Sequence, residues 1–224
     1  MNTRHTIVYD LDGTLVDTAP DLCKALNHVL ELSDLTPIPL EKPGPLVAQG
    51  ARAMIQRGLA VHNVVKNDTE IDFMFDRFLE FYEVHCADQS KPYMHIENQL
   101  GAFNKAGFIQ AVCTNKLEFL SIKLLKSLHM HHHFAAICGQ DTFRVRKPHP
   151  DHILKTIAMA GGSPDHAVMV GDSTADIQAA KSAGIPVIAV DFGYSDVPVA
   201  ELAPDLVISD FRQLDKNIAD LMPA

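Results

Sequence analysis

The chain has 224 residues, of which 47% are hydrophobic and 21% are charged. This length allows one substantial α/β domain with a smaller insertion, and the composition is that of an ordinary globular protein. The net charge of −9 argues against nucleic acid as a partner. The sequence also lacks an apolar run of the roughly 20 residues that a membrane helix needs, and its first residues lack a signal-peptide core. We therefore expect a cytoplasmic protein with no membrane partner.

Neither the cysteines nor the histidines of the sequence indicate a metal framework. The four cysteines are widely spaced without a Cys-x-x-Cys pair, which favours small packing residues in a reduced compartment. They are Cys23, Cys86, Cys113 and Cys138. Four clustered histidines raise the possibility of a metal site, but a polar connecting loop is the prediction, because they lie between a predicted helix and strand. They are His129, His131, His132 and His133.

The first predicted element is a short strand that ends in two acids. Thr6–Tyr9 is a run of β-branched and aromatic residues, which predicts a buried strand. Asp10 and Asp12 follow it, and because side chains alternate along a strand, both carboxylates can point to the same side. Two close carboxylates repel each other and persist together only with a cation or a shared proton between them. A simple Asp-Gly hairpin turn at Gly13 is the alternative.

The stretch that follows has helical periodicity. Thr18–Asp21 has the form of a capping box with proline in the first turn, and apolar residues then recur at helical spacing as far as Leu30. Further helices are predicted over 46–60 and 70–87. Because this part of the sequence contains no convincing strand, we expect an inserted α-helical cap domain at 17–88.

From about residue 91 onward, predicted strands and helices alternate. The predicted strands are 109–113, 134–138, 167–170, 186–190 and 206–208. The predicted helices are 96–105, 117–128, 151–160, 174–183 and 212–221. This alternation predicts an α/β fold with a Rossmann-like three-layer core, in which helices cover both faces of a mostly parallel sheet. The core domain would comprise 1–16 and 89–224.

Polar residues follow several predicted strands, at the position where ligands bind in such sheets. Thr114 and Asn115 stand where a strand opens into a helix, a natural anion site because free N–H groups and the helix dipole face the ligand. Asp172 also follows a strand, and Asp176 lies one helical turn later, so both carboxylates can face one point. Plain helix capping is the alternative for these residues.

A lysine next to a proline precedes the predicted helix 151–160. Lys147 would supply a point charge to an anion-rich site and reduce the repulsion within it. The neighbouring Arg144 and Arg146 receive no role, because basic residues in loops are usually solvated.

These motifs resemble the four signatures of the haloacid dehalogenase superfamily. Asp10-Leu11-Asp12-Gly13-Thr14-Leu15-Val16-Asp17 resembles the first signature, in the form used by the phosphatases of the superfamily. Thr114-Asn115, Lys147-Pro148 and Gly171–Asp176 resemble the second, third and fourth signatures, and they occur in the same order. The resemblance spans the whole chain, including a helical insertion between the first two signatures.

The resemblance implies roles for the residues of the first three motifs. Asp10 would be the nucleophile that attacks phosphorus and forms an aspartyl-phosphate. Asp12 would act as general acid and base, protonating the leaving alcohol and later taking a proton from water. Thr114, Asn115 and Lys147 would bind the phosphoryl group.

The resemblance also implies a Mg²⁺ cofactor. The expected ligands are the carboxylates of Asp10 and Asp172 and the backbone carbonyl of Asp12, because Mg²⁺ prefers hard oxygen ligands. Asp176 would be either a direct ligand or a partner of the ligands.

The cap position, together with 147–150 and 192–194, most resembles the phosphoglycolate phosphatase branch of the superfamily. Members of that branch commonly carry Gly-x-Gly-Ala in the cap, where this chain has Ala48 in place of the first glycine. Gln49 and Arg52 are therefore candidates for recognising the leaving group. A solvated helix face is the alternative for Arg52.

The resemblance implies a Mg²⁺-dependent phosphatase, a phosphoric monoester hydrolase, that acts on a small phosphorylated metabolite similar to phosphoglycolate. A phosphosugar mutase of the same fold is the nearest alternative, and a non-catalytic binding protein is another. The sequence leaves open which phosphate ester is used and whether the protein is a monomer or a homodimer.

Overall fold

The computed structural model describes residues 4–39, 44–47 and 50–221. The chain divides into two compact units. The first, the core unit, comprises Met1–Asp17 together with Pro92–Ala224, and the second unit is Thr18–Lys91. The assignment of a cap domain with the limits 17–88 stays a prediction. Within the described ranges, no helix is long and apolar enough to cross a membrane.

The secondary structure follows the alternation expected from the sequence. The strands are β1 (Thr6–Tyr9), β2 (Val16–Asp17), β3 (Lys91–Pro92), β4 (Ile109–Cys113), β5 (Ala136–Cys138), β6 (Ala167–Gly171), β7 (Val187–Val190) and β8 (Leu206–Ile208). The α-helices are α1 (Ala19–Glu31), α2 (Gly44–Val47), α3 (Ala51–Val61), α4 (Asp68–His85), α5 (Ile96–Lys105), α6 (Glu118–Ser127), α7 (Pro150–Met159), α8 (Thr174–Ala183) and α9 (Leu214–Leu221). Short 3₁₀ helices cover His131–His133, Pro164–His166, Val199–Leu202 and Phe211–Gln213.

One parallel sheet has the strand order β5-β4-β1-β6-β7-β8. β1 lies between β4 and β6, so that Thr6 is in register with both Ile109 and Ala167. The carboxyl ends of these three strands therefore meet at one edge of the sheet, where ligands bind in folds of this kind. The predicted α/β class with a mostly parallel sheet is confirmed.

The sheet is buried because its strands carry apolar side chains on both faces. On one face, Val8 and Met169 of the sheet pack in one cluster with Ile153 of α7 and Ile177 of α8. Burying an aliphatic side chain of this size stabilises a fold by roughly 1.5–3 kcal/mol. This packing holds the strand ends, and the residues that follow them, in fixed positions.

The sequence predicts neither β2 nor β3. Each strand is two residues long, and together they form a separate two-stranded sheet. Two residues are too few for an alternating pattern, so a strand of this length has no sequence signal of its own.

In the second unit, helices bury the apolar stripes that their periodicity predicts. α1 buries Leu22, Leu26 and Leu30 on one face. α4 buries Ile71 and Phe78 in the same way.

Two predictions for this unit are wrong. The predicted helix over 46–60 is divided into α2 and α3, because Gly50 has φ 88° and ψ 173°, which no α-helix includes. Thr18 makes no side-chain cap, since its backbone already has φ −99° and ψ −5° instead of the extended conformation of a capping residue. A capping box occurs at the start of α4, between Asn67 and Glu70.

The predicted polar loop around the clustered histidines contains a short 3₁₀ helix, His131–His133. The ring of His133 lies 2.9 Å from the Asn104 amide nitrogen. Among the described residues, no group of three or more potential metal ligands includes any of these histidines.

Asp21 is a charged side chain that is fully buried in the second unit. Its carboxylate accepts hydrogen bonds from Gln89 N at 2.9 Å, from Ser90 N at 2.8 Å and from Ser90 Oγ at 2.7 Å. A buried carboxylate is stable only with such partners, because burial removes its hydration. Asp21 therefore ties the first turn of α1 to the segment that precedes β3.

We expect Asp21→Asn to lower the free energy of unfolding by about 1–3 kcal/mol, because the new amide group faces N–H donors and leaves at least one of them unpaired. Urea denaturation measures the change. Asp76→Asn, on the exposed face of α4, is the matched control and should change the same quantity by less than about 0.5 kcal/mol. Equal effects of the two variants would show that the buried network contributes nothing specific.

Candidate active site

Asp10 is the first residue after the central strand of the sheet. Its backbone N donates to Val170 O at 2.9 Å, which continues the ladder between β1 and β6 by one residue. The side chain is buried, and its Oδ1 lies 2.9 Å from Lys147 Nζ. Burial and the nearby Asp176 carboxylate raise the pKa of Asp10, and Lys147 opposes that shift.

A tight turn at Gly13 follows the two acids. Gly13 has φ 85°, and its N donates to Val16 O at 3.0 Å. A Cβ atom at this position would lie 2.5 Å from Asp172 Oδ2, closer than van der Waals contact allows. The alternative hairpin is absent, because the bridge between Asp12 and Val16 is parallel.

Asp172 follows β6 and is held by two donors. Thr14 Oγ1 donates to its Oδ1 at 2.8 Å, and Tyr194 N donates to its Oδ2 at 2.7 Å. Burial, together with the charges of Asp10 and Asp176, raises the pKa of Asp172, whereas these two hydrogen bonds oppose the shift. The carboxylates of the site thus repel one another strongly.

Asp176 uses both of its oxygens within the protein. Oδ1 accepts from Lys147 Nζ at 2.6 Å. Oδ2 accepts from Ser173 N at 3.0 Å and from Ser173 Oγ at 2.6 Å, in a capping box that starts α8. Asp176 therefore does take part in helix capping, which was the alternative interpretation of this residue, and the same side chain also binds Lys147.

Lys147 is buried between two carboxylates, Asp10 and Asp176. Burial lowers the pKa of its ammonium, but the two carboxylates more than offset this effect and hold the pKa above its ordinary value. The backbone of Lys147 is held on both sides, because its N donates to His152 Nδ1 at 3.1 Å and its O accepts from Asn115 Nδ2 at 2.9 Å. Burial lowers the pKa of His152 to about 4, so the ring is neutral near pH 7 and its Nδ1 can accept.

The loop after β4 carries Thr114, which is buried. Thr114 N donates to Cys138 O at 3.0 Å, and its Oγ1 accepts from Lys116 N at 3.2 Å. This arrangement leaves the hydroxyl proton of Thr114 able to donate to an anion. The ammonium of Lys116 binds both carboxylate oxygens of Asp12, at 3.0 and 3.1 Å.

Asp10, Asp172 and Asp176 form a group whose ligand atoms lie within 4.8 Å of one another. All three carboxylates are buried, and the ammonium of Lys147 is paired with two of them. Such an excess of buried negative charge, built from hard oxygen donors, fits a divalent cation. Both oxygens of Asp176 already accept hydrogen bonds from Lys147 and Ser173. This favours a role in holding the neighbouring groups in place over direct binding of the metal.

Comparison with known protein families identifies the family of this chain. Residues 7–190 match the family model of haloacid dehalogenase-like hydrolases. The chain belongs to this family. The resemblance inferred from the four sequence motifs is thereby confirmed, and the matched segment includes Asp10, Thr114, Lys147 and Asp172.

Curated members of the family with high identity are named phosphoglycolate phosphatase. The protein of Mesorhizobium japonicum is 46% identical over 218 residues, which cover 97% of this chain and 96% of the relative. The protein of Agrobacterium fabrum is 47% identical over 207 residues, covering 92% and 89%. A crystal structure of a predicted phosphoglycolate phosphatase from Haemophilus somnus has a TM-score of 0.88 at 29% identity and covers 97% of this chain and 99% of that one. This haloacid dehalogenase-like hydrolase is therefore a phosphatase, a hydrolase of phosphoric monoesters.

The residues predicted to recognise the leaving group belong to the second unit. Gln49 lies outside the described residues, as does Ala48, where the sequence departs from the glycine of the related phosphatases. Arg52 is described, and its guanidinium donates to Asp72 and, at 3.3 Å, to Asp68. Its charge is therefore shared with two acids of α4.

Sequence reasoning gave no role to several residues that hold this site. Thr14 lies inside the first motif and Lys116 directly follows the second, so a polar or charged side chain within or next to a recognised motif was the available signal. Tyr194 donates to Asp172 through its backbone N, and the neutral ring of His152 accepts from the backbone N of Lys147. Neither contact has a signal in the sequence.

We expect the metal-free hydrolase to lose stability as the pH rises from about 4 toward 8. The pKa values of Asp10 and Asp172 are raised in the folded state, whereas the unfolded chain releases the same protons near pH 4. The folded state thus binds more protons in this range, so its advantage declines as pH increases. Thermal midpoints measured with a chelator should show this decline, and a divalent cation that replaces the protons should reduce it.

Asp10→Asn removes one of the repelling charges and is the control for that experiment. Its midpoint should decline less steeply with pH than that of the wild-type protein. A wild-type midpoint that rises with pH in the presence of chelator would contradict the proposed repulsion.

We expect Gly193→Ala to lower phosphatase activity by about tenfold or more, because a Cβ there would collide with the Asp172 side chain and a small displacement of a group that orders the site is costly. Phosphate release and the thermal midpoint are the measurements. Gly101→Ala is the matched control, since a Cβ at Gly101 meets no atom within 4 Å. The control should keep full activity; comparable losses in both variants would contradict this account.

Proposed function

We propose that the protein is a Mg²⁺-dependent phosphatase that hydrolyses a small phosphorylated metabolite through an aspartyl-phosphate on Asp10. The observation that carries the proposal is the buried contact of Asp10 with Lys147, at 2.9 Å, in a group of carboxylates at the strand ends. A nucleophilic carboxylate needs a fixed cation nearby, because its target is itself an anion.

Asp10 and Asp172, with the backbone carbonyl of Asp12, would hold the Mg²⁺ ion. When bound, Mg²⁺ would offset the negative charge of these carboxylates and of the phosphoryl group. Support for this ligand set comes from the raised pKa values of Asp10 and Asp172, both of which burial and neighbouring carboxylates destabilise as anions.

In the first step, a carboxylate oxygen of Asp10 attacks phosphorus while the bond from phosphorus to the ester oxygen breaks. Asp12 gives its proton to that oxygen, so the product leaves as a neutral alcohol group and Asp12 becomes a carboxylate. Asp12 is available for this role because its carboxyl group is outside the close group of three carboxylates at the proposed metal site.

In the second step, water attacks phosphorus and the bond between phosphorus and the Asp10 oxygen breaks. The Asp12 carboxylate takes the proton from that water. The step restores the Asp10 carboxylate and the protonated Asp12, and it releases inorganic phosphate.

Charge on the transferring group would be stabilised by Lys147, by the hydroxyl of Thr114 and by the backbone N–H of Asn115. The Asn115 side chain has a further contribution, because its amide holds the carbonyl of Lys147 at 2.9 Å. Asp176 would keep the ammonium of Lys147 in place. Fixed donors of this kind stabilise a transition state without having to reorient.

Phosphoglycolate is the substrate class that we propose, because both curated relatives with 46–47% identity carry that name. The unit Thr18–Lys91 would act as the cap that excludes bulk water. Gln49 and Arg52 are the candidates for recognising the carboxylate of the leaving group. Arg52 would have to share its charge between that carboxylate and Asp68 and Asp72.

We expect Asp10→Asn to abolish phosphate release, lowering it by about 10³-fold or more because no covalent intermediate can form. The fold should persist, since the change removes a charge from a repelling group. Inorganic phosphate release from phosphoglycolate, with Mg²⁺ and with a chelator, is the measurement. Activity near the wild-type value in a folded variant would refute the mechanism, and substrate turnover without phosphate release would favour the mutase alternative.

A further inference from the structure

A second buried lysine of the core unit is paired with Asp12. Lys116 is 9% exposed, and its Nζ lies 3.0 and 3.1 Å from the two carboxylate oxygens of Asp12. Contacts from one ammonium to both oxygens fix the rotation of the carboxyl group as well as its position.

The backbone of Lys116 is itself held firmly. Its N donates to Thr114 Oγ1 at 3.2 Å, and its O accepts from Gln140 N at 2.9 Å. Gly139 packs so closely that a Cβ there would lie 2.6 Å from Lys116 O. The ammonium therefore extends from a fixed point on the loop that also carries Thr114.

The two lysines contact different carboxylates. Lys147 contacts Asp10 and Asp176, which belong to the buried group of three. Lys116 contacts Asp12, whose ligand atoms are outside that group. The acid that the proposed reaction uses for proton transfer thus has its own cationic partner.

We propose that Lys116 is a positioning residue that holds the Asp12 carboxyl group where it meets the leaving oxygen. This inference rests on the proposed function, in which Asp12 donates a proton to that oxygen as its bond to phosphorus breaks. Because the Asp12 side chain is 24% exposed, it can turn toward solvent once the ammonium is removed. Such a rotation would slow proton donation while Asp10 and Lys147 remain intact.

The test compares three phosphate esters by kcat/KM, which reports the steps up to formation of the aspartyl-phosphate. Phosphoglycolate and ethyl phosphate have weakly acidic leaving alcohols and need a proton, whereas p-nitrophenyl phosphate has a leaving group that departs without one. Phosphoglycolate carries a carboxylate on its leaving group and ethyl phosphate does not. The variants are Lys116→Met, Lys116→Arg and Asp12→Asn, with Lys126→Met, an exposed lysine of α6, as the control.

We expect Lys116→Met to lower kcat/KM by about 10- to 100-fold for both alkyl esters and by less than about threefold for p-nitrophenyl phosphate, since a positioned acid contributes about 10²–10⁴-fold only where the leaving group needs it. Lys116→Arg should recover most of this loss, because a guanidinium can also bind both oxygens. Lys126→Met should match the wild-type protein with all three esters.

Two results would overturn the inference. Equal losses with all three esters would mean that Lys116 supports the structure in general, and a loss confined to phosphoglycolate would mean that it binds the substrate carboxylate instead. Asp12→Asn separates these failures from a failure of the proposed function. If Asp12→Asn discriminates between the alkyl and aryl esters and Lys116→Met does not, only the inference fails; if Asp12→Asn itself does not discriminate, the proposed role of Asp12 fails.

Discussion

The ammonium of Lys147, buried between Asp10 and Asp176, is the interaction on which the rest of the site depends. Three carboxylates with ligand atoms within 4.8 Å of one another would otherwise be an uncompensated buried charge, which costs several kcal/mol for each ion. Surrounding hydrogen-bond donors also compensate the buried negative charge. Thr14 and the backbone N of Tyr194 donate to Asp172, so each carboxylate has at least one donor or cation. The remaining excess of negative charge suits the group to a divalent cation, which would also offset the charge of a phosphoryl group.

The parallel sheet makes this concentration of charge possible. Because β1 pairs in register with β4 and β6, the residues that follow these three strands come together at one edge of the sheet. The strand pairing alone is sufficient for this, whatever the conformation of the loops. The loops then need room for close approach. Gly13 and Gly193 provide it, since a side chain at either position would collide with Asp172. The core therefore determines where the acids lie, and the glycines determine how near they come.

Most of the fold was accessible from the sequence because its signals are local. Hydrophobic runs predicted the strands of the main sheet, and helical periodicity predicted the helices. The position of Asp10, Thr114 and Asp172 after the strands located the candidate site. The bonds between distant residues were not accessible: Thr14 donates to Asp172 across 158 positions, and Lys116 binds Asp12 across 104. Two local signals also misled, since Thr18 has the composition of a cap without its backbone conformation, and the break in the helix predicted over 46–60 depends on the φ of a single glycine.

The position of the insertion also determines the order in which the molecule can assemble. The helices between Thr18 and Lys91 make contacts within one continuous segment, so they can form soon after synthesis. β1 has no such opportunity, because its partners in the sheet, β4 and β6, begin only at Ile109 and Ala167. A strand made for burial on both faces, with its backbone groups still unpaired, is a template for aggregation until those partners have been made. The candidate active site therefore cannot form until β6 has been made, and during that interval the newly made chain needs protection from its own first strand.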